Sequence, residues 1–131
     1  MNKRGQVVQK KEHEMSTGKK VRRIAVPVKD GKLCIHFGQS QLFYLYEVCG
    51  GELQEKKEVV PPGHAPEVYP RWLAELGVTD VITGGIGRKA IDVFLEERIN
   101  VFDGAPVKDA GELVEDFLKG KLENLGNYCD H

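Results

Sequence analysis

The chain has 131 residues, of which 40% are hydrophobic and 30% charged, and its formal net charge is −1. This length predicts a single domain with a real apolar core, and no apolar run approaches the roughly 18 residues of a membrane helix. No signal-peptide pattern opens the chain, and three widely spaced cysteines (Cys34, Cys49 and Cys129) do not form a disulfide framework. We therefore expect a soluble, cytoplasmic protein with reduced thiols.

The charge is unevenly distributed along the chain. Residues 1–23 contain eight Lys or Arg against two Glu, a charge of +6, which leaves −7 for the rest of a chain whose total is −1. A basic leader of this kind can bind nucleic acid, but this one has no aromatic side chain on which a base could stack. We interpret residues 1–20 as a flexible basic leader and residues 21–131 as the folded domain.

Hydrophobic spacing predicts strands first and then an alternation of helices and strands. The first half indicates a buried strand, an irregular loop and an antiparallel hairpin, over residues 22–28, 33–41, 42–48 and 51–60. The second half indicates helix, strand, helix, strand and helix, over residues 67–77, 79–85, 87–99, 100–104 and 108–122. Such alternation gives parallel pairing through right-handed crossovers, and the hairpin adds an antiparallel member. We expect a three-layer α/β/α domain with a mixed sheet and ligands at the carboxyl ends of its parallel strands.

Two Cys-x-His pairs lie in segments without regular periodicity, Cys34 with His36 and Cys129 with His131. In an extended segment positions 34 and 36 would point to the same side. Thiolate and imidazole are the ligands that zinc, copper and iron–sulfur centres prefer. Each pair alone is a weak signal, because Cys34 can equally be a buried thiol beside a hydrogen-bonded histidine, and the terminal pair can be an expendable tail.

A further candidate ligand, His64, lies in the segment PPGHAP, where flanking prolines stiffen the loop. A stiff loop presents a ligand at a lower entropy cost than a mobile one, although a histidine that bonds to its own loop would give the same pattern. The candidate metal ligands all fall in irregular segments, and they are Cys34, His36, His64, Cys129 and His131. That distribution favours a soft-metal or cluster site.

A glycine-rich turn joins a predicted strand to a predicted helix, and its residues are Gly84, Gly85, Ile86, Gly87 and Arg88. Glycines let the backbone approach a ligand, and the following helix offers free N–H groups and the positive end of its dipole. The turn therefore suits an anion such as phosphate, carboxylate, molybdate or an anionic cluster, unless it is only a tight connection. It matches neither of the two glycine-rich nucleotide motifs, so nucleotide binding is unsupported.

Catalysis finds less support in the sequence. Cys34 and His36 stand two residues apart on one segment, a spacing that rarely aligns a nucleophile with its base. Among the carboxylates only Asp30 and Asp103 fall at predicted strand ends, and nothing else supports a magnesium site there. We therefore expect a protein that is not an enzyme.

These motifs together resemble a known family. The segments RIAVPV…HFGQSQLFYLYEV, PPGHAPEVYPRWLAELGVTDVITGGIGRKAIDVFLEERINVFDGA and LENLGNYCDH are similar to the dinitrogenase iron–molybdenum cofactor biosynthesis family. That family includes NifX, NafY and the C-terminal part of NifB. The resemblance covers about residues 22–131, and it implies a ribonuclease-H-like fold with a mixed five-stranded sheet.

The resemblance also implies a function, which is to bind or carry a metal–sulfur cluster or its precursor, of iron–sulfur or iron–molybdenum type, for an assembly or acceptor protein. His36, His64 and the glycine turn would line the site, and Cys129 with His131 matches the C-x-H end of many relatives. Two alternatives stay open. One is a regulatory module that binds a small anionic metabolite at the glycine turn, and the other is a ribonuclease-H-type hydrolase, which the sparse carboxylates disfavour.

Overall fold

The structure is a computed structural model that describes residues 21–63, 66–122 and 126–128, the last three by their backbone. The basic leader and three of the candidate ligands (His64, Cys129 and His131) lie outside the described residues.

Within these ranges the chain forms seven strands and three α-helices. The strands are β1 (Val21–Lys29), β2 (Lys32–Leu33), β3 (Leu42–Cys49), β4 (Glu52–Val59), β5 (Asp80–Ile82), β6 (Asn100–Asp103) and β7 (Gly126–Tyr128). The helices are α1 (Tyr69–Glu75), α2 (Arg88–Glu96) and α3 (Ala110–Leu118), and short 3₁₀ turns cover Phe37–Gln39 and Pro66–Val68. None of these helices is long and apolar enough to cross a membrane.

The strands form one mixed sheet in the order β4-β3-β1-β5-β6-β7, and the two-residue strand β2 pairs with β1. Strands β1, β5 and β6 are parallel to one another, whereas the other strands pair antiparallel with their neighbours. The predicted α/β fold class is therefore confirmed. Strands β2 and β7 come in addition to the five that were expected, because segments of two and three residues carry no readable periodicity.

The sheet separates two apolar clusters, which makes the domain three-layered. Along β1, Ile24 and Val26 belong to one cluster with Leu113 of α3, whereas Ala25 belongs to the other with Phe94 of α2. Successive strand residues point to opposite faces, so a fully apolar strand requires a helix layer on each side. Helix α3 covers one face and helices α1 and α2 cover the other.

A buried polar network joins the parallel strands at their amino ends. Asp80 of β5 is 1% exposed and accepts a hydrogen bond from Arg22 Nε of β1 at 3.1 Å. Its carboxylate also accepts from the Thr79 hydroxyl at 2.6 Å and from the Asn100 side-chain amide at 2.9 Å. Burial by itself raises the pKa of this carboxyl, but the hydrogen bonds together outweigh burial and hold the pKa below its ordinary value. The network fixes the three central strands at the end opposite to their carboxyl termini.

Candidate functional site

A cleft of about 780 Å³ opens at the carboxyl edge of the parallel strands. Most of the side chains in its walls are apolar, and the lining residues are 36–38, 66, 67, 70, 85–87, 89, 90, 92 and 93. This is the edge at which ligands collect in open α/β sheets, and it is where the sequence predicts a ligand site. The structure therefore brings the segment of His36 and the glycine turn together.

His36 lies at the cleft because its segment pairs with the end of β5. Residue 36 forms a parallel bridge with Gly85, in which the Gly85 N–H donates to the Ile35 carbonyl at 2.6 Å. The Phe37 N–H donates to the Gly85 carbonyl at 2.9 Å, and the Phe37 ring is buried against Phe94, with the ring centroids 5.5 Å apart. The main chain on both sides of His36 is thereby anchored, while the imidazole itself is exposed.

Cys34 is buried, whereas His36 is exposed. The Cys34 side chain is 3% exposed, and its thiol donates to the His36 carbonyl oxygen at 3.0 Å. The segment is not extended as the expectation for positions 34 and 36 requires, because the chain bends at Ile35, and one side chain is buried while the other is exposed. A metal-ligating role for Cys34 stays a prediction, and in this structure the thiol instead holds the main chain of His36.

The predicted anion-binding turn is only partly available to a ligand. Gly85, Ile86 and Gly87 line the cleft. The Gly84 carbonyl accepts from the Gly104 N–H at 2.8 Å, and the Gly85 N–H is already bonded to the loop before His36. The amides of Lys89 and Ala90, in the first turn of α2, have no acceptor within the helix and could serve an anion.

The two basic residues in the first turn of α2 have different surroundings. The Arg88 guanidinium pairs with Asp92 at 3.0 Å, one turn further along the helix. Lys89, the next residue, lines the cleft. The sequence places both charges in the first turn without distinguishing them, because adjacent helical positions differ only by their angle around the axis.

Tyr69 fixes the loop that leads to His64. Its hydroxyl donates to the Gly63 carbonyl at 3.3 Å, and burial, followed by the nearby Glu67 charge, raises the pKa of the phenol. Pro66, two residues after His64, lines the cleft. Although His64 is outside the described residues, the segments on either side of it are anchored at or beside the cleft.

The backbone of β7 bears on the other two candidate ligands, Cys129 and His131, which lie outside the described residues. Gly126 pairs with Asp103, and Tyr128 pairs with Val101. Because β6 runs towards the cleft edge, antiparallel β7 runs away from that edge. The chain is at the carboxyl edge at Gly126 and runs away from that edge as far as Tyr128.

No metal-ligand cluster is apparent in the part of the chain that the structure describes. Among those residues, no three His, Cys, Asp or Glu side chains stand together as they would around a metal ion. Asp30 and Asp103, which a hydrolase of this fold would need, are not among the residues that line the cleft. At the cleft, His36 is the one described member of the predicted ligand set.

In the part of the chain that the structure describes, the fold is a small mixed α/β domain with an open cleft at the carboxyl edge of its sheet. The family model described as dinitrogenase iron–molybdenum cofactor matches residues 20–120. The chain belongs to this family, whose association with the iron–molybdenum cofactor links it in general to metalloclusters.

Individual proteins are similar to this chain in sequence or in fold. MJ0580, an uncharacterized protein of Methanocaldococcus jannaschii, is 30% identical over 111 residues, which are 81% of this chain and 93% of the relative. The crystal structure of PH0822 superimposes with a TM-score of 0.72 at 29% identity, over 77% of this chain and 92% of that one. The apo form of the orange protein from Desulfovibrio gigas has a TM-score of 0.63 at 24% identity, over 76% and 89% of the two chains, and supports the fold alone.

Proposed function

We propose that this protein binds or carries a metal–sulfur cluster or its precursor, of iron–sulfur or iron–molybdenum type, without catalysing a reaction. The observation that carries the proposal is that one cleft joins the exposed His36 imidazole to Lys89 and to the amino end of α2. Imidazole is a ligand for borderline and soft metals. The helix amides and the lysine charge favour the anionic sulfide or oxo groups of a cluster. Of the two carboxylates that also line the cleft, Glu67 and Asp92, the second is paired with Arg88.

The small ligand set fits a cargo better than a resident cofactor. A structural metal site usually encloses its ion with four protein ligands. At the cleft the described residues offer one imidazole, His36, besides the carboxylates of Glu67 and Asp92, and no three such side chains stand together. His64 would add a second ligand if its side chain turns towards Pro66 and the cleft wall. A cluster held by one or two imidazoles and by charge keeps most of its own sulfides, so it can be released to another protein.

The apolar walls support the same proposal. Phe37, Ile86 and Val93 line the cleft, and an environment that excludes water strengthens charge interactions with a bound anion. The partner in this proposal is a cluster-assembly or acceptor protein, which takes the cargo through the open side of the cleft. Such a transfer requires a reducing compartment, which is the cytoplasm.

Anaerobic reconstitution of the full chain with iron, sulfide and molybdate tests the proposal. Metal analysis and absorption spectra should show stoichiometric metal in the wild-type protein. His36→Ala and His64→Ala should each weaken the affinity for the metal at least about tenfold, because even the loss of a side chain that only orients a ligand costs that much at other metal sites. His13→Ala, in the leader outside the family match, is the matched control. Absence of stoichiometric metal, or full loading of both variants, contradicts the proposal.

A second candidate function has support from Lys89 and the amino end of α2, which need no metal to attract an anion. In this alternative the protein is a regulatory module for a small anionic metabolite. Thermal stabilisation by molybdate or phosphate that survives the combined loss of His36 and His64 would favour it over cluster binding.

A further inference from the structure

We infer that Gly84 and Gly85 are positioning residues for His36. Because they lack side chains, the segment of Ile35 and His36 can dock directly on the end of β5, and this docking brings the imidazole to the cleft. The inference deepens the proposed function, and it rests on that function for its effect on cargo.

Gly84 makes the tighter contact of the two. A methyl group at this position would lie 2.9 Å from the Ile35 carbonyl oxygen and 3.2 Å from the Ile35 Cα atom. Both are main-chain atoms, so no side-chain rotation can relieve the overlap. Any residue larger than glycine at position 84 must therefore displace main chain.

The main chain that moves is that of Ile35 rather than that of Gly84. The Gly84 carbonyl is held by the Gly104 N–H at 2.8 Å. The preceding residue is also held, because the Thr83 N–H donates to Phe102 at 2.9 Å and the Thr83 carbonyl accepts from Ala105 at 3.1 Å. These bonds belong to the central sheet and the loop that follows β6, so the displacement falls on the segment that carries His36.

Gly85 leaves room for the imidazole itself. A methyl group here would lie 3.1 Å from the Ile35 carbonyl oxygen and 3.7 Å from His36 Nδ1. The same residue accepts a hydrogen bond from Phe37 and donates one to Ile35. One glycine thus clamps the residues before and after His36 and keeps the space beside its ring open.

Gly87 offers a control for Gly84 and Gly85, because a side chain added at Gly87 makes no close contact. A methyl group at Gly87 has no atom within 4 Å, and its φ of −78° and ψ of 157° suit alanine. Gly87→Ala therefore adds the same group to the same turn without pressing on Ile35 or His36. It is the matched variant for measuring where His36 lies.

The experiment compares Gly84→Ala, Gly87→Ala, His36→Ala and the double variant of Gly84 and His36 in the full chain. In cargo-free protein, Gly84→Ala should lower the exchange protection of the Gly85 amide at least about tenfold and shift the NMR signals of the His36 ring. Gly87→Ala should leave both as in the wild type. With iron, sulfide and molybdate as the probe, Gly84→Ala should lose about as much bound metal as His36→Ala, and the double variant should lose no more.

The possible outcomes separate the inference from the proposed function. Unchanged Gly85 protection and His36 signals in Gly84→Ala overturn the inference, and so does a double variant that loads much less metal than His36→Ala. Full loading of His36→Ala contradicts the role of His36 in the proposed function, while the cargo-free spectra still decide whether Gly84 positions it. If Gly84→Ala does not fold, Gly85→Ala, with its longer 3.1 Å contact, takes its place.

Discussion

Replacing Asp80 by Asn should destabilise the domain without touching the cleft. Asn has nearly the same shape as Asp, but an amide offers one acceptor oxygen where the carboxylate offers two. The carboxylate accepts from Arg22, Thr79 and Asn100, all of which are donors at these contacts. In the variant the NH₂ group of the introduced asparagine must face at least one of these three donors, so that one hydrogen bond is lost. The Arg22 guanidinium also loses the negative charge with which it pairs.

The size of the effect follows from burial. Asp80 is buried, whereas the Arg22 side chain is 27% exposed and its guanidinium also lies over the Phe117 ring, 5.2 Å from the centroid. Removing one partner of a buried ion pair costs about 3–5 kcal/mol. Because Arg22 can recover some hydration and keeps its aromatic contact, we expect the lower end, about 3 kcal/mol, which corresponds to a fall in melting temperature of roughly 10 °C.

The difference between wild type and Asp80→Asn should depend on pH in one direction. The pKa of Asp80 is lower in the folded than in the unfolded chain, so its carboxylate contributes stability above the unfolded pKa of about 4. That contribution is lost as the pH falls through the folded-state pKa. Since Asn does not titrate, the two free energies of unfolding should differ most near neutral pH and converge in acid.

Urea unfolding at pH 7 and at steps down to pH 3 measures both effects. Asp116→Asn is the matched control, because its carboxylate pairs with Lys108 at 2.8 Å on the surface and its loss should matter much less. An Asp80→Asn protein that unfolds at the wild-type urea concentration at pH 7 would refute this reasoning. A difference that stays constant from pH 7 to pH 3 would refute it as well.

Further predictions concern the cleft and its surroundings. Cys34→Ala should lower cargo loading several-fold by releasing the His36 carbonyl, whereas Cys34→Ser should retain loading; equal loss in both would instead make the sulfur a ligand. Lys89→Glu should weaken cargo loading more than Lys89→Gln. If the lysine acts by charge, added salt should reduce the difference in loading between the wild type and these variants. Thr83→Val should raise the melting temperature, because this buried hydroxyl has no partner among the described atoms and an unsatisfied group costs about 1–3 kcal/mol; a lower melting temperature contradicts this. A chain without residues 129–131 should load as the full chain does, since β7 runs away from the cleft edge, and a clear loss would show that the tail contributes.

The regular elements could be predicted where the apolar pattern is long and strong. Helix α2 shows Ile91 and Phe94 on one side, and both are buried against the sheet as their spacing requires. Strand β7 could not be predicted, because its three residues gain their conformation from pairing with β6 rather than from a pattern of their own. Tertiary pairing decides such short segments, and a sequence window does not contain the partner.

The candidate site was predictable only as far as topology determines it. His36 and the glycine turn meet because carboxyl ends of parallel strands share one edge. The burial of Cys34 beside the exposed His36 accompanies a bend at Ile35, and the contact of Gly84 with Ile35 joins positions far apart in the chain. Glycine spacing indicates close approach of a backbone, but it does not say whether a ligand or another loop makes that approach.

The amino ends of β1, β5 and β6 contribute to stability, whereas their carboxyl ends position His36, and the two roles can be tested separately. At the amino end, Asp80 holds β1, β5 and β6 together by buried hydrogen bonds that contribute to stability. At the carboxyl end, Gly84 allows a backbone contact with Ile35 that determines where His36 lies. Asp80→Asn should therefore lower the free energy of unfolding and leave the His36 ring signals unchanged. Gly84→Ala should shift those signals even where the protein stays folded. If each variant instead changed both properties to a similar extent, the loop of His36 would have to be coupled to the whole sheet, and cargo binding could not be adjusted without altering stability.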